Sequence, residues 1–291
     1  MQRLIRHTAA ALGLAATASA WAAPLNVEVY NPGGKSVFPV SSEIVLGPTE
    51  AVLIDAQFQR NDAQALVERL RASGRQLKAV YISHGDPDYY FGLDVIRDAF
   101  PGVRVVASAS TVAEIKASME GKKAYWGPIL KDNAPQRLVL PEVLEGDRLK
   151  VDGETLEVVG LEGPDPAHTF VWIPSARTVA GGVVVFGQMH VWVADTQTPA
   201  SRQLWQQTLS RIEALKPETV IPGHYLAPAP MTLDSVRFTS DYLRQFEQQM
   251  ARTRTSGELS QAMKQQYPGL GAEPVLELSA KVIKGDIPWP Q

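Results

Sequence analysis

Residues 82–93 read Ile82-Ser83-His84-Gly85-Asp86-Pro87-Asp88-Tyr89-Tyr90-Phe91-Gly92-Leu93, and the reading of the whole chain turns on them. They continue an apolar run, Ala79 to Ile82, of the kind that forms a buried strand. One imidazole and two carboxylates then occupy alternate positions. Alternate side chains of an extended backbone point the same way, so His84, Asp86 and Asp88 are expected to converge where the strand passes into a loop. Nitrogen and oxygen donors gathered at a strand end are how a protein begins a metal site.

The termini and composition bound the possibilities. Arg3 and Arg6, the apolar Thr8 to Ala18, and Ala20-Trp21-Ala22 together read as an export signal. Pro24 disfavours a cut after Ala23, so cleavage is expected after Ala22. The apolar segment is shorter than the roughly 20 residues of a spanning helix, which predicts no membrane anchor in the mature protein. Residues 1–22 are therefore expected to be the signal peptide and 23–291 a single domain, located in the periplasm or outside the cell. The chain has no cysteine, which removes disulfides, thiolate nucleophiles and Cys-ligated zinc. A mature chain of about 270 residues buries enough core to do without cross-links. Net charge is −3 with no basic cluster, which argues against nucleic acid as a partner and leaves a small molecule as the expected substrate.

Pattern along the chain alternates between strand and helix. Strands are predicted over Asn26 to Tyr30, Ser36 to Pro39, Ser42 to Leu46, Ala51 to Ile54, Lys78 to Ile82 and Val103 to Ala107. Helices are predicted over Asp62 to Ala72, Gly92 to Phe100 and Thr111 to Met119. Gly121 to Pro141, with Trp126, Gly127 and Pro128, reads as a loop able to lie over a cleft. Asp152-Gly153 turns a hairpin between Arg148 to Val151 and Thr155 to Gly160. Strands at Phe170 to Ile173, Thr178 to Phe186 and Thr219 to Ile221 follow, with helices over Pro199 to Leu215 and Leu233 to Met250. These elements suit one α/β domain, though periodicity alone selects no architecture within that class.

Four histidines remain after the signal: His84, His168, His190 and His224. Each falls at or just beyond a predicted strand end, in a turn rich in glycine or proline. Chance would have placed some of them in helices.

Several of these segments, in this order, resemble the metallo-β-lactamase superfamily. Val52-Leu53-Ile54-Asp55 is similar to its strand ending in a structural aspartate. His84-Gly85-Asp86-Pro87-Asp88-Tyr89 is similar to its His-x-His-x-Asp-His ligand loop, and Gly163-Pro164-Asp165-Pro166-Ala167-His168 to its third-histidine loop. Ala180-Gly181-Gly182 stands where the superfamily has a Gly-Asp bridging ligand, and Ile221-Pro222-Gly223-His224 matches its terminal Pro-Gly-His. The resemblance implies an αββα four-layer sandwich of two mixed sheets flanked by helices. It also implies metal ligation by His84, Asp86, Asp88, His224 and either Asp165 or His168.

The departures from the pattern reduce the expected site. Asp86 and Tyr89 replace histidines, and Gly182 replaces the bridging carboxylate outright. One divalent ion is therefore expected rather than two. Zinc is the expected ion, with manganese or iron as the alternatives that an added oxygen donor favours. Such an ion lowers the pKa of its water to about 7 and makes hydroxide available for hydrolysis. The resemblance thus implies a metal-dependent hydrolase, and an ester or lactone substrate, because the loops lack the basic cluster that phosphate attracts. Asp88 would orient the water or take its proton, and Tyr89 and His190 are the other candidate catalytic groups. His190 equally suits a loop-bonding role, and Trp126 and Trp192 suit either a pocket wall or the core. The rival expectation is a binding protein that kept the sandwich and lost its metals.

Overall fold

A computed structural model describes residues 25–166 and 168–288. The expected signal peptide, Met1 to Ala22, lies outside the described residues.

Two sheets form the centre. In the first, β1 (Asn26–Tyr30), β2 (Ser42–Leu46) and β3 (Glu50–Ile54) run antiparallel in sequence order. They are followed by β4 (Gln76–Ile82), β5 (Arg104–Ala107) and β6 (Glu142–Val143), each parallel to its predecessor. The second sheet begins with the predicted hairpin of β7 (Arg148–Val151) and β8 (Glu154–Val159) and continues antiparallel through β9 (Phe170–Ile173) and β10 (Thr178–Ala180). A short parallel pair joins β11 (Phe186–Gly187) to β13 (His224–Tyr225), while β12 (Thr219–Val220) adds to β10 in parallel.

Period-two alternation divides each strand between two cores. Val52 and Ile54 of β3 and Tyr81 of β4 meet Val151, Leu156, Val158 and Val171 of the second sheet between the layers. Ala51, Leu53, Val80 and Ile82 turn the other way, toward Leu66 and Leu70 of α1 (Arg60–Ser73). The loop after β4 carries the short α2 (Pro87–Tyr90) and then α3 (Leu93–Ala99), whose Leu93 and Ile96 join the same layer. Helix α4 (Ala109–Leu130) follows β5, and its Lys122 reaches the loop after β4. The outer face of the second sheet is covered by α5 (Pro199–Leu215) and α6 (Leu233–Arg252), through Trp205, Leu209, Ile212 and Val236. Helices α7 (Ser256–Gln266) and α8 (Glu273–Lys284) complete the chain. The result is the expected αββα sandwich.

Three local expectations fail. Ser36 to Pro39 is a bend rather than a strand, and only Val40 makes a bridge, to His224. The predicted loop from Gly121 is helical to Leu130, with Gly127 and Pro128 in its last turn. Trp126 explains this: its ring meets the edges of Phe38 and Phe58 at 5.3 and 5.4 Å, and packing outweighs the poor local propensity. The predicted strand Thr178 to Phe186 breaks at Gly181 and Gly182, whose φ angles are +68° and +80°.

Candidate functional site at the strand ends

Asp55, at the end of β3, frames the site. Its carboxylate accepts the Ser83 N–H at 2.8 Å and the Ser83 O–H at 2.6 Å, and Ser83 Oγ accepts the Gly182 N–H at 2.8 Å. One carboxyl therefore ties β3, β4 and the loop after β10 together. Burial raises the pKa of Asp55 to about 7 against the pull of the Ser83 hydrogen bonds. Glu43 on β2 is fully buried nearby, and burial, with the Asp55 charge, raises it to about 8.

The ligand-like stretch itself does not stay extended. Asp86 is the last extended residue, and Pro87 starts the α2 turn, so period-two alternation ends before Asp88. The expected convergence of His84, Asp86 and Asp88 gives way to separate pairings. Neutral His84 accepts the Asp86 N–H through Nδ1 at 3.1 Å; when protonated, the same nitrogen faces the Asp86 carboxylate at 3.5 Å. Asp88 instead pairs with His224, Oδ2 to Nε2, at 3.1 Å. Asp165 and His168, the alternatives for one ligand position, pair with each other at 2.7 Å, and the His168 ring stacks on Trp205 at 4.6 Å.

Tyr89 lies between two of these pairs. Its ring centroid is 5.3 Å from that of His84 and 5.7 Å from that of His224, and its buried hydroxyl has no hydrogen-bond partner. Burial, helped by the Asp88 and Asp55 charges, holds that hydroxyl well above the ordinary phenol range, so it stays protonated. His224 is stacked on Phe186 at 5.3 Å, and its buried Nδ1 is unpartnered. The Pro-Gly-His turn that presents it needs its glycine, because a Cβ on Gly223 would lie 2.0 Å from the Gly182 carbonyl oxygen.

His190 is drawn elsewhere. Its N–H bonds the Gly271 carbonyl at 2.9 Å, its Nδ1 meets the Tyr242 hydroxyl at 3.0 Å, and burial depresses its pKa to about 4. A neutral imidazole so held fastens the loop after β11 to α6, the structural role left open above. Trp126 belongs to the aromatic packing under α4, and Trp192 bonds Asp195 through its indole N–H.

The sequence reading missed three charged residues here, Lys122, Glu114 and Asp195. Lys122 of α4 donates to the Gly85 carbonyl at 2.9 Å, the Asp86 carboxylate at 3.2 Å and Glu114 at 3.5 Å. Glu114 lies so close to Gly85 that a Cβ there would fall 2.2 Å from its carboxyl carbon. Burial works against charge on His84, but Asp86, Glu114 and Asp195 outweigh it and raise its pKa. Asp86 shifts down, because His84 and Lys122 outweigh its burial. Lys122 and Glu114 went unseen because their segment straddles a glycine and a predicted loop, and nothing in the local pattern marks either residue.

Comparison with known proteins gives the arrangement its context. The profile of the metallo-beta-lactamase superfamily matches residues 36–224. The chain belongs to that superfamily, whose members are hydrolases that typically bind divalent metals, usually zinc. Among solved structures, a metallo-beta-lactamase family protein from Thermus thermophilus is similar at 18% identity and a TM-score of 0.60, over 89% of this chain and 93% of its own. A metallo-beta-lactamase from Pontibacter korlensis gives 20% and 0.52 over 76% and 93%. The DIM-1 metallo-beta-lactamase gives 17% and 0.51 over 77% and 98%. At these identities the likeness establishes the fold alone. No curated protein matches the sequence.

The superfamily's metal centre does not fit this donor set as it is arranged. Among the described residues, no three His, Asp or Glu side chains stand where they could hold one ion. The donors expected from the sequence (His84, Asp86, Asp88, Asp165, His168 and His224) are gathered into three pairs instead. The bridging position is closed as well as empty of a carboxylate. A Cβ on Gly182 would sit 2.1 Å from the Thr169 carbonyl oxygen, at a φ that side chains rarely adopt.

Proposed function

We propose that this protein is an exported hydrolase that acts on the carbonyl of a small ester or lactone, at the strand-end cluster of Asp88, Tyr89 and His224. The observation that carries the proposal is the Asp88–His224 pair at 3.1 Å. A carboxylate 3.1 Å from Nε2 favours the tautomer that carries its proton there and leaves the lone pair on Nδ1, the logic of a general base beside an acidic partner. His224 Nδ1 is that nitrogen, and no protein group occupies it. In this reading it takes a proton from the attacking water, Asp88 stabilises the imidazolium that results, and the imidazolium returns that proton to the leaving alkoxide as the tetrahedral adduct breaks its C–O bond. Tyr89, protonated and unpartnered, supplies an O–H donor to the developing oxyanion. His84 and Asp86 shape the adjoining wall of the cluster.

The substrate class rests on charge. Superfamily members act on small molecules, and this chain combines a net charge of −3 with no basic cluster to receive a phosphate. Export rests on the signal-like first 22 residues, and no helix among the described residues is long and apolar enough to cross a membrane.

The test is turnover of a panel of p-nitrophenyl esters and lactones by the purified mature chain, beside Asp88→Asn and His224→Gln. Each substitution is expected to lower kcat/KM by about 10²–10⁴, the usual span for a general base. A second reading is favoured by burial: His84, Asp88 and His224 are only 6–7% exposed, which suits a binding protein that no longer turns substrate over. Folded protein without turnover on any member of the panel, in chelated buffer and in buffer supplemented with zinc, manganese or iron, would leave that reading in place.

A further inference from the structure

We propose that Lys122 is the resident cation of this site, its ammonium standing where the loop would otherwise offer Asp86 to a divalent metal. This rests on the reading of the strand-end cluster as the functional site, and it accounts for the misfit between the superfamily's metal centre and this chain's donors.

Lys122 is held as a cation is held. An ammonium has three N–H donors, and here three oxygens receive them: the Gly85 carbonyl, Asp86 Oδ1 and Glu114 Oε1, at 2.9, 3.2 and 3.5 Å. Two of the three belong to the loop whose counterpart carries the superfamily's first ligands. The third comes from the same helix as Lys122, two turns away, so α4 brings both the cation and a second counter-charge. The lysine stem is largely covered, its side chain 23% exposed. Removing the ammonium would leave Asp86 and Glu114 facing each other across the loop with His84 beside them, and no positive charge to separate them. As the lysine holds them these three side chains do not converge on one ion, but released from it an imidazole and two carboxylates are a donor set suited to zinc, manganese or iron. The ammonium and a metal ion are thus mutually exclusive occupants of the same oxygens. Its second role follows: by bonding Gly85 and Asp86 together it positions the backbone that presents His84.

The experiment uses the full mature chain as wild type, Lys122→Met, Lys122→Gln and the double variant Lys122→Met/Asp86→Asn. Each is stripped with chelator, checked for folding by circular dichroism, titrated with zinc by calorimetry, and measured for retained metal after gel filtration. Wild type is expected to retain almost no zinc. Lys122→Met and Lys122→Gln are expected to gain one zinc site per chain, at least about tenfold tighter than anything in wild type, the scale on which groups beside a metal's ligands alter affinity. The double variant is expected to lose that gain. Lys122→Gln is nearly isosteric, so it carries the test if the methionine variant does not fold. Stoichiometric zinc in wild type, or no gain in either single variant, overturns the proposal. Ester and lactone turnover is a separate readout. Its absence would count against the hydrolase reading while leaving the lysine assignment to stand or fall on the zinc titration.

Discussion

Giving Gly182 a side chain tests the rebuilt site at its tightest point. Its φ of +80° is a conformation that costs a residue with a Cβ about 1–2 kcal/mol. The added carbon would also lie 2.1 Å from the Thr169 carbonyl oxygen, a backbone atom in the connection to β9 that cannot rotate aside. Overpacking of this kind costs a further 1–3 kcal/mol or so. Gly182→Ala should therefore lose about 2–5 kcal/mol, a large part of the 5–15 kcal/mol that typically separates folded from unfolded chains. For a domain of this size that corresponds to a fall in Tm of roughly 5–20 °C. The matching control is Gly127→Ala. Gly127 lies inside α4 with open space around it, so alanine there should be neutral or stabilise by up to about 1 kcal/mol. Urea unfolding followed by circular dichroism measures both. Gly182→Asp should be destabilised at least as much, and restoring the superfamily's residue should not restore a metal centre. A Gly182→Ala variant within about 0.5 kcal/mol of wild type would refute the steric argument, as would a stable Gly182→Asp variant that binds zinc.

Further expectations concern buried charge. Glu43, raised to about 8 by burial, favours the folded state while protonated, so its contribution falls as pH climbs from about 4.5 to 8. Glu43→Gln should therefore be more stable than wild type at pH 9, with the difference shrinking toward pH 5; a difference independent of pH in thermal melts would contradict this. His190, lowered to about 4 by burial, acts in the opposite direction: the stability tied to it is complete above about pH 6.5 and lost as pH falls toward 4. Its ring resonances should titrate near pH 4 by NMR rather than near 6.5. Arg202, 2% exposed, bonds Glu247 and the Thr196 carbonyl, and Arg202→Met should cost about 3 kcal/mol in denaturant unfolding, since Glu247 keeps some access to water.

Many of the elements could be read from the chain because their signals are local and mutually consistent, while the sandwich itself followed from the resemblance of the motifs at the strand ends. Apolar runs at Ala51 to Ile54 and Lys78 to Ile82 end at Asp55 and His84, and the Pro-Gly-His turn is set by a glycine that must pass within 2.0 Å of a carbonyl. The partners of the site residues were not legible, because they depend on which distant segment reaches the strand ends. Lys122 arrives on α4, about one turn before Trp126, whose ring packs on Phe38 and Phe58 in a contact between residues far apart in sequence. The separation of Asp88 from Asp86 follows from the helical turn that Pro87 opens, a signal visible in the proline that alternation overrode. The C-terminal helices were missed although Thr255 and Glu258 form a capping box at the start of α7, a signal present in the sequence.

The central claim is that side-chain pairs and a lysine have replaced the superfamily's metal centre in this chain. Its most direct test is the metal content of the mature wild-type protein by elemental analysis, as purified without added metal and again after incubation with zinc, manganese and iron followed by gel filtration. A stoichiometry near zero is expected in every case. About one ion per chain, retained through filtration and lost in His84→Ala, would contradict it.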